Sequence, residues 1–355
     1  MIYREAGQFR ATYEEDRRIF PIREDRIAFS ALLLVAFVVI PLVGNDYWFG
    51  AILIPFLILA LAALGLNILT GYAGQLSLGS AAFMAVGAFA AFNLMVRLPG
   101  MPLLASFFLA GIITATVGLF FGLPSLRIKG FYLAVTTLAA QFFIEWALTK
   151  FSWFSNNNAS GVISAPRMAI LGYRFESPVS RYLLTLSLVS VLAVAAKNLV
   201  RSRIGRAWMA VRDMDVAAEV IGIPMLKTKL LAFAVSSFYC GIAGALWAFA
   251  YLGSVEPQAF DLNRSFQILF MIIIGGMGSV LGAFLGAAFI ILLPIFLNVA
   301  AHGIFAGRVS QSLLSNLELI LFGVLIIFFL AVEPRGLARL WQIGKEKLRL
   351  WPFPH

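Results

Sequence analysis

The dominant signal along the chain is a succession of long apolar runs with no two-residue alternation. They cover 27–43, 51–70, a stretch ending at 96, 103–123, 131–149, 181–199, 230–252, 280–301 and 313–332. A helix needs about 20 apolar residues to cross a hydrocarbon core of about 30 Å, and most of these runs have that length. Barrel strands would instead alternate over about ten residues each. The pattern predicts an all-α, polytopic membrane protein with about ten transmembrane helices, including discontinuous, glycine-interrupted ones.

Two interruptions stand out. Residues 71–80 read GYAGQLSLGS, and residues 275–279 read GGMGS. The apolar segment before the second, 265–274, is too short to cross, because ten helical residues rise only about 15 Å. Each glycine lowers helix propensity by about 1 kcal/mol relative to alanine. Backbone released from a helix at membrane depth must find partners in protein or water. The two breaks sit in a weak internal repeat, 51–96 and 265–301. Paired breaks of this kind either line a translocation path or let helices pack closely through small residues. Thr70, Gln75, Ser77, Ser80, Gly275 and Gly276 are the candidates for such a path on this geometry.

Composition strengthens the membrane reading. The chain is 61% hydrophobic and 12% charged, with a mean hydropathy of +0.92, against about 25% charged for an ordinary soluble domain. The net charge of +10 does not point to nucleic acid, because the basic residues sit between the apolar runs, as a positive-inside bias requires. With the N-terminus inside and the chain turning back at both breaks, 20 of the 27 Lys and Arg fall on the cytoplasmic side. That orientation predicts a cytoplasmic N-terminal segment over 1–26, a transmembrane domain over 27–332 and a basic cytoplasmic tail over 333–355. Within the domain, 150–180 is an external loop and 200–229 a cytoplasmic one. The first 26 residues lack the form of a signal peptide.

Candidate chemistry is sparse. Cys240 is the single cysteine, and there are two histidines, so neither a disulfide framework nor a histidine metal site is expected. No phosphate-binding GxxxxGK[ST], HExxH, GxSxG or CxxC motif occurs. Glu145 and Glu318, the acids inside apolar runs, lie far apart and form no relay pattern. An enzyme and a nucleotide hydrolase are therefore not expected, and no cofactor is expected on this chain.

One stretch contrasts with everything around it: GRAWMAVRDMDVAAEVIGIP, 205–224, is helix-forming and of mixed charge. At helical spacing Trp208, Val211, Met214, Ala218 and Ile221 make one apolar face, while Arg206, Arg212, Asp213 and Glu219 lie elsewhere. Gly222 and Pro224 end the helix. Such a helix lies on lipid, packs on its own bundle, or fills a groove on a partner. Asp213, Asp215 and Glu219 would be repelled by anionic lipid, which favours a partner protein.

Several ordered motifs resemble one family. GLNILTGYAGQLSLGSAAFMAVGAF (65–89), LRIKGFYLAVTTLA (126–139), the 205–223 stretch, FAVSSFYCGIAGAL (233–246) and IIGGMGSVLGAFLGA (273–287) are similar to the membrane-spanning permease subunits of ABC importers of the branched-chain amino acid class, the LivM-like family. The resemblance covers about 27–335. It implies a cytoplasmic coupling helix at 206–222, with Ala217, Ala218, Glu219 and Gly222 on the family's short EAA…G pattern. Around these, Arg206, Trp208, Arg212, Asp213 and Asp215 complete the expected docking surface. It further implies separate ABC ATPase subunits that use ATP, a second homologous permease subunit, an external substrate-binding protein, and a place in a bacterial inner membrane. The implied cargo is a branched-chain or related amino acid, although relatives carry urea, amides and organic acids. A stand-alone channel or secondary carrier for a small polar solute is the alternative.

Overall fold

A computed structural model describes residues 12, 23–125, 132–156, 162–170, 172–305, 311–333 and 335–350. The N-terminal segment expected over 1–26 and the basic turn of 124–130 lie largely outside the described residues. The chain is α-helical, as its periodicity predicts. It opens with α1 (Arg23–Leu34), which passes through a π-helical turn (Val35–Val39) into α2 (Ile40–Val43). The second span, Trp48–Tyr72, has α3 (Ile54–Asn67) at its centre and a π-helical turn at each end. Then follow α4 (Ser80–Arg97), α5 (Leu103–Ser125), α6 (Tyr132–Lys150) and α7 (Pro178–Arg201). After α8 (Arg203–Asp213) and α9 (Asp215–Val220) the chain re-enters the bundle with α10 (Met225–Leu246), extended by a π-helical turn, Trp247–Leu252. The last elements are α11 (Leu262–Gly275), α12 (Val280–Phe305), α13 (Gln311–Val332) and α14 (Gly336–Leu350).

Among the described residues, eight helices are long and apolar enough to cross a membrane. To these are added α13, with its apolar stretch Ile320–Phe329, and the short α11. The 14 residues of α11 rise about 21 Å, less than a bilayer core. About ten membrane helices, one of them a partial crossing, match the expected architecture.

The core forms around α3. Every residue of this helix except Phe56 is buried, as an all-round apolar helix requires. It packs against α10, α12, α7 and α11. Glycines set the tightest contacts: a Cβ on Gly87 of α4 would fall on the backbone of Gly241, and one on Gly244 would fall on the backbone of Met84. The two helices therefore touch backbone to backbone.

Two peripheral segments hold regular structure. Within 150–180, β1 (Ile163–Ser164) pairs antiparallel with β4 (Ser254–Val255), and β2 (Ala169–Ile170) pairs with β3 (Tyr173–Arg174). Within 333–355 lies α14. Gly336 turns the chain with φ +61°, after which Ala338 is buried and Leu337 packs on the core.

Candidate functional site

The 205–224 stretch is helical, but it is two helices and not one. Met214 is extended (φ −154°, ψ 96°) and separates α8 from α9. The consequence is that the predicted apolar face splits. Trp208 and Val211 of α8 and Ala218 of α9 are buried. Met214 and Ile221 are 71% and 73% exposed, beside Val216 at 65% and Val220 at 82%. The indole N–H of Trp208 donates to the Thr228 carbonyl at 3.0 Å, anchoring α8 on α10. Arg206, Asp213, Ala217, Glu219 and Gly222 are exposed, and Asp215 is half-buried. Gly222 ends α9 at φ +88°, with its N–H on the Glu219 carbonyl at 3.0 Å. The segment thus has one face in its own bundle and a second, apolar and acidic, facing outward.

Arg212 links this segment to both glycine breaks. Its Nη1 donates to the Gly71 carbonyl at 2.8 Å, and its stem lies against Gly74, where φ is +68° and a side chain would not fit. Nη1 also lies where a Cβ on Gly278 would crowd it. Its Nε and Nη2 hold Asp213. Close by, Asn67 ties the first break to the second: Oδ1 accepts from the Gly278 N–H at 2.8 Å, and Nδ2 donates to the Ser279 carbonyl at 2.7 Å. The two interruptions, more than 200 residues apart, are therefore one structure at the end of the bundle that carries α8 and α9.

From there the chain climbs without helical structure over 73–79 and starts α4 inside the bundle. A helix begun at depth exposes N–H groups that have no intrahelical partner. Side chains from other helices supply them. The Ala81 N–H donates to Ser265 Oγ at 2.9 Å and the Ala82 N–H to Gln141 Oε1 at 2.8 Å. Gln141 also accepts from Ser265 Oγ at 3.0 Å and donates to the Phe260 carbonyl at 2.8 Å. Thr137 Oγ1 accepts from the Leu78 N–H at 2.9 Å. Thr137, Gln141 and Ser265 are all buried.

Of the residues proposed for a path, Thr70 and Gln75 meet, with the Thr70 hydroxyl donating to the Gln75 carbonyl at 3.0 Å. Ser77 and Ser80 are buried in the climbing segment. Gly275 and Gly276 act in close packing: a Cβ on the first would fall on the Gly282 carbonyl, and on the second on the Arg335 carbonyl. Gln75 is buried with neither amide atom hydrogen-bonded. A cavity lies elsewhere, about 400 Å³ between Pro55, Trp247, Glu256, Arg264, Gln267 and Ile290. The sequence alone singles out none of Asn67, Gln141, Trp247, Arg264 and Ser265. An Asn or Gln inside an apolar run is the available signal for two of them.

The arrangement is that of a transport component: discontinuous helices inside a bundle and a solvent-facing segment that reaches their broken ends. The family described as "Branched-chain amino acid transport system / permease component" matches residues 48–330. The chain belongs to that family. Its relatives include the high-affinity branched-chain amino acid transport system permease protein LivM of Salmonella typhimurium, 28% identical over 307 residues, covering 79% of this chain and 68% of the relative. LivM of Escherichia coli is 28% identical over 304 residues with the same coverage. The ribose import permease protein RbsC of Haemophilus influenzae is 29% identical over 147 residues, 40% of this chain and 44% of that one. No solved structure matches. This chain is therefore an ABC transporter permease, a multi-pass membrane protein and a transport component.

Proposed function

We propose that this permease forms half of the translocation path of an ATP-driven importer for branched-chain or related amino acids. Residues 200–229 and both termini face the cytoplasm, and 150–180 faces out, as the distribution of Lys and Arg favours. The α8–α9 segment seats in a groove of a separate ATPase subunit, which uses ATP. A second homologous permease subunit completes the path, and an external binding protein delivers the cargo from outside a bacterial inner membrane.

The observation that carries this reading is the outward face of α9. Met214, Val216, Val220 and Ile221 are each at least 65% exposed, on a segment that also carries Asp215 and Glu219. Lipid would welcome the apolar groups but anionic headgroups would repel the acids. A protein groove accommodates both. A stand-alone carrier would leave this face uncovered. The test is co-purification with the ATPases. Val220→Asp with Ile221→Asp places two carboxylates in the groove, and complex yield is expected to fall at least tenfold while the permease itself stays in the membrane. Unchanged yield and full ATP-dependent uptake would overturn the reading.

A further inference from the structure

We infer that the cavity between Trp247 and Arg264 is a binding site for a zwitterionic α-amino acid with an apolar side chain. This rests on the proposed amino-acid permease function and goes further, because it assigns the groups that hold the ligand. The cavity lies far from α8 and α9. Its wall on the second span is Ala51, Pro55 and Leu59, whereas the other end of that span meets Arg212 at Gly71. The intervening helix rises about 1.5 Å per residue, so the two places are separated by about half a bilayer or more. In the proposed orientation the cavity belongs to the external half.

Two hydrogen-bond donors at the cavity are unused. Trp247 is 3% exposed, and its indole N–H has no acceptor. The Nε of Arg264 is buried without one. The Arg264 guanidinium stacks over the Trp247 ring at 4.6 Å from its centroid, and its Nη1 donates to Gln267 Oε1 at 2.6 Å. Stacking and this bond fix the plane of the fork. Asp261 acts on it only through space: its Oδ1 caps the Arg264 backbone N–H and its Oδ2 accepts from Asn263, so neither oxygen bonds the guanidinium. Among the described residues, no carboxylate lies within ion-pair distance of Arg264. A largely desolvated cation with a free donor calls for an anion, and the planar fork suits a carboxylate. The indole N–H supplies a further donor for it.

The remaining lining matches the rest of an amino acid. Glu256 lines the same cavity and makes no ion pair among the described residues, which leaves its carboxylate for an ammonium group. Leu59, Leu252, Ile290 and Ile291 make the apolar wall. The volume of about 400 Å³ is within the usual range for a small-molecule site. Two π-helical turns, Trp48–Leu53 and Trp247–Leu252, border it, and such turns are frequent at functional sites.

The experiment uses the full-length protein in lipid nanodiscs and the diazirine analogue photo-leucine at millimolar concentration. Cross-linked peptides are mapped by mass spectrometry. Labelling is expected within 247–267 or 290–294. L-Leucine should compete for it, while 4-methylpentanoate, which lacks the ammonium, and 3-methylbutylamine, which lacks the carboxylate, should compete at least tenfold less well. Arg264→Gln should cut labelling at least tenfold. Trp247→Phe keeps the ring and removes only the N–H, so it keeps the test valid if the arginine variant does not fold, and it should cut labelling about fivefold. The inference is overturned if the wild type is not labelled there, if a singly charged analogue competes equally with leucine, or if labelling is undiminished in a folded Arg264→Gln or Trp247→Phe protein. Failure to assemble with ATPases would overturn the importer reading and leave this result standing.

Discussion

Arg212→Ala isolates the link between the outward-facing segment and the glycine breaks. The substitution removes the Nη1 bond to the Gly71 carbonyl and the stem packing on Gly74. It also removes the pairing with Asp213, which is an exposed pair at 2.8 Å with side chains 36% and 65% accessible and so contributes little. A hydrogen bond from a charged donor contributes about 1.5–3 kcal/mol when buried, and partial exposure of Arg212 reduces this to about 1–2 kcal/mol. At about 0.6 kcal/mol for RT, local opening of the first break becomes about 5–30 times more frequent. Asn67 still holds the second break, so the effect should remain local. The assay is amide hydrogen exchange read by mass spectrometry on the full-length protein in detergent or nanodiscs. Peptides covering 68–79 should exchange about 5–30 times faster, while α3 and α10 keep wild-type protection. Unchanged exchange in 68–79, or an even rise across the whole bundle, would refute the argument.

Other substitutions probe the remaining contacts. Asn67→Ala removes both bonds to the second break and leaves a half-buried N–H and a half-buried carbonyl unpaired, so the thermal midpoint of the purified protein should fall as expected for a loss of about 1–3 kcal/mol. Gln141→Leu orphans the Ala82 N–H and the Phe260 carbonyl. It should cost about 2–4 kcal/mol and raise exchange at the start of α4, and wild-type stability would count against the capping role. Trp208→Phe keeps the volume nearly filled but removes the bond to Thr228. A loss of about 1–2 kcal/mol is expected, seen as faster proteolysis within 203–224.

The sequence carries most of the architecture, for a physical reason. In lipid, apolar run length alone decides whether a helix spans, so the helix order and the shortness of α11 are legible without a structure. The breaks are legible as glycine clusters, but their meeting is not. That depends on Asn67 reaching Gly278 and Ser279, a contact 211 and 212 residues distant in the chain. Trp208, Val211, Met214, Ala218 and Ile221 share a helical period, so the 205–224 sequence predicts one continuous face. One extended residue, Met214, breaks that period, and nothing local in the sequence announces it. The cavity was invisible for a similar reason. Nothing in the sequence sets Arg264 against Trp247; the fold does.

The contact between α4 and α10 has a mechanical consequence. At Gly87–Gly241 and Gly244–Met84 there is no layer of side chains between the two backbones. Side chains that hop between rotamers act as bearings on which helices slide; where they are missing, two helices move as one beam. Because α8 is fastened to α10 through Trp208 and Thr228, a load applied at Met214–Ile221 is carried along that beam without slack. Bending of that beam is then confined to its joints, the first glycine break that precedes α4 and the π-helical turn that follows α10.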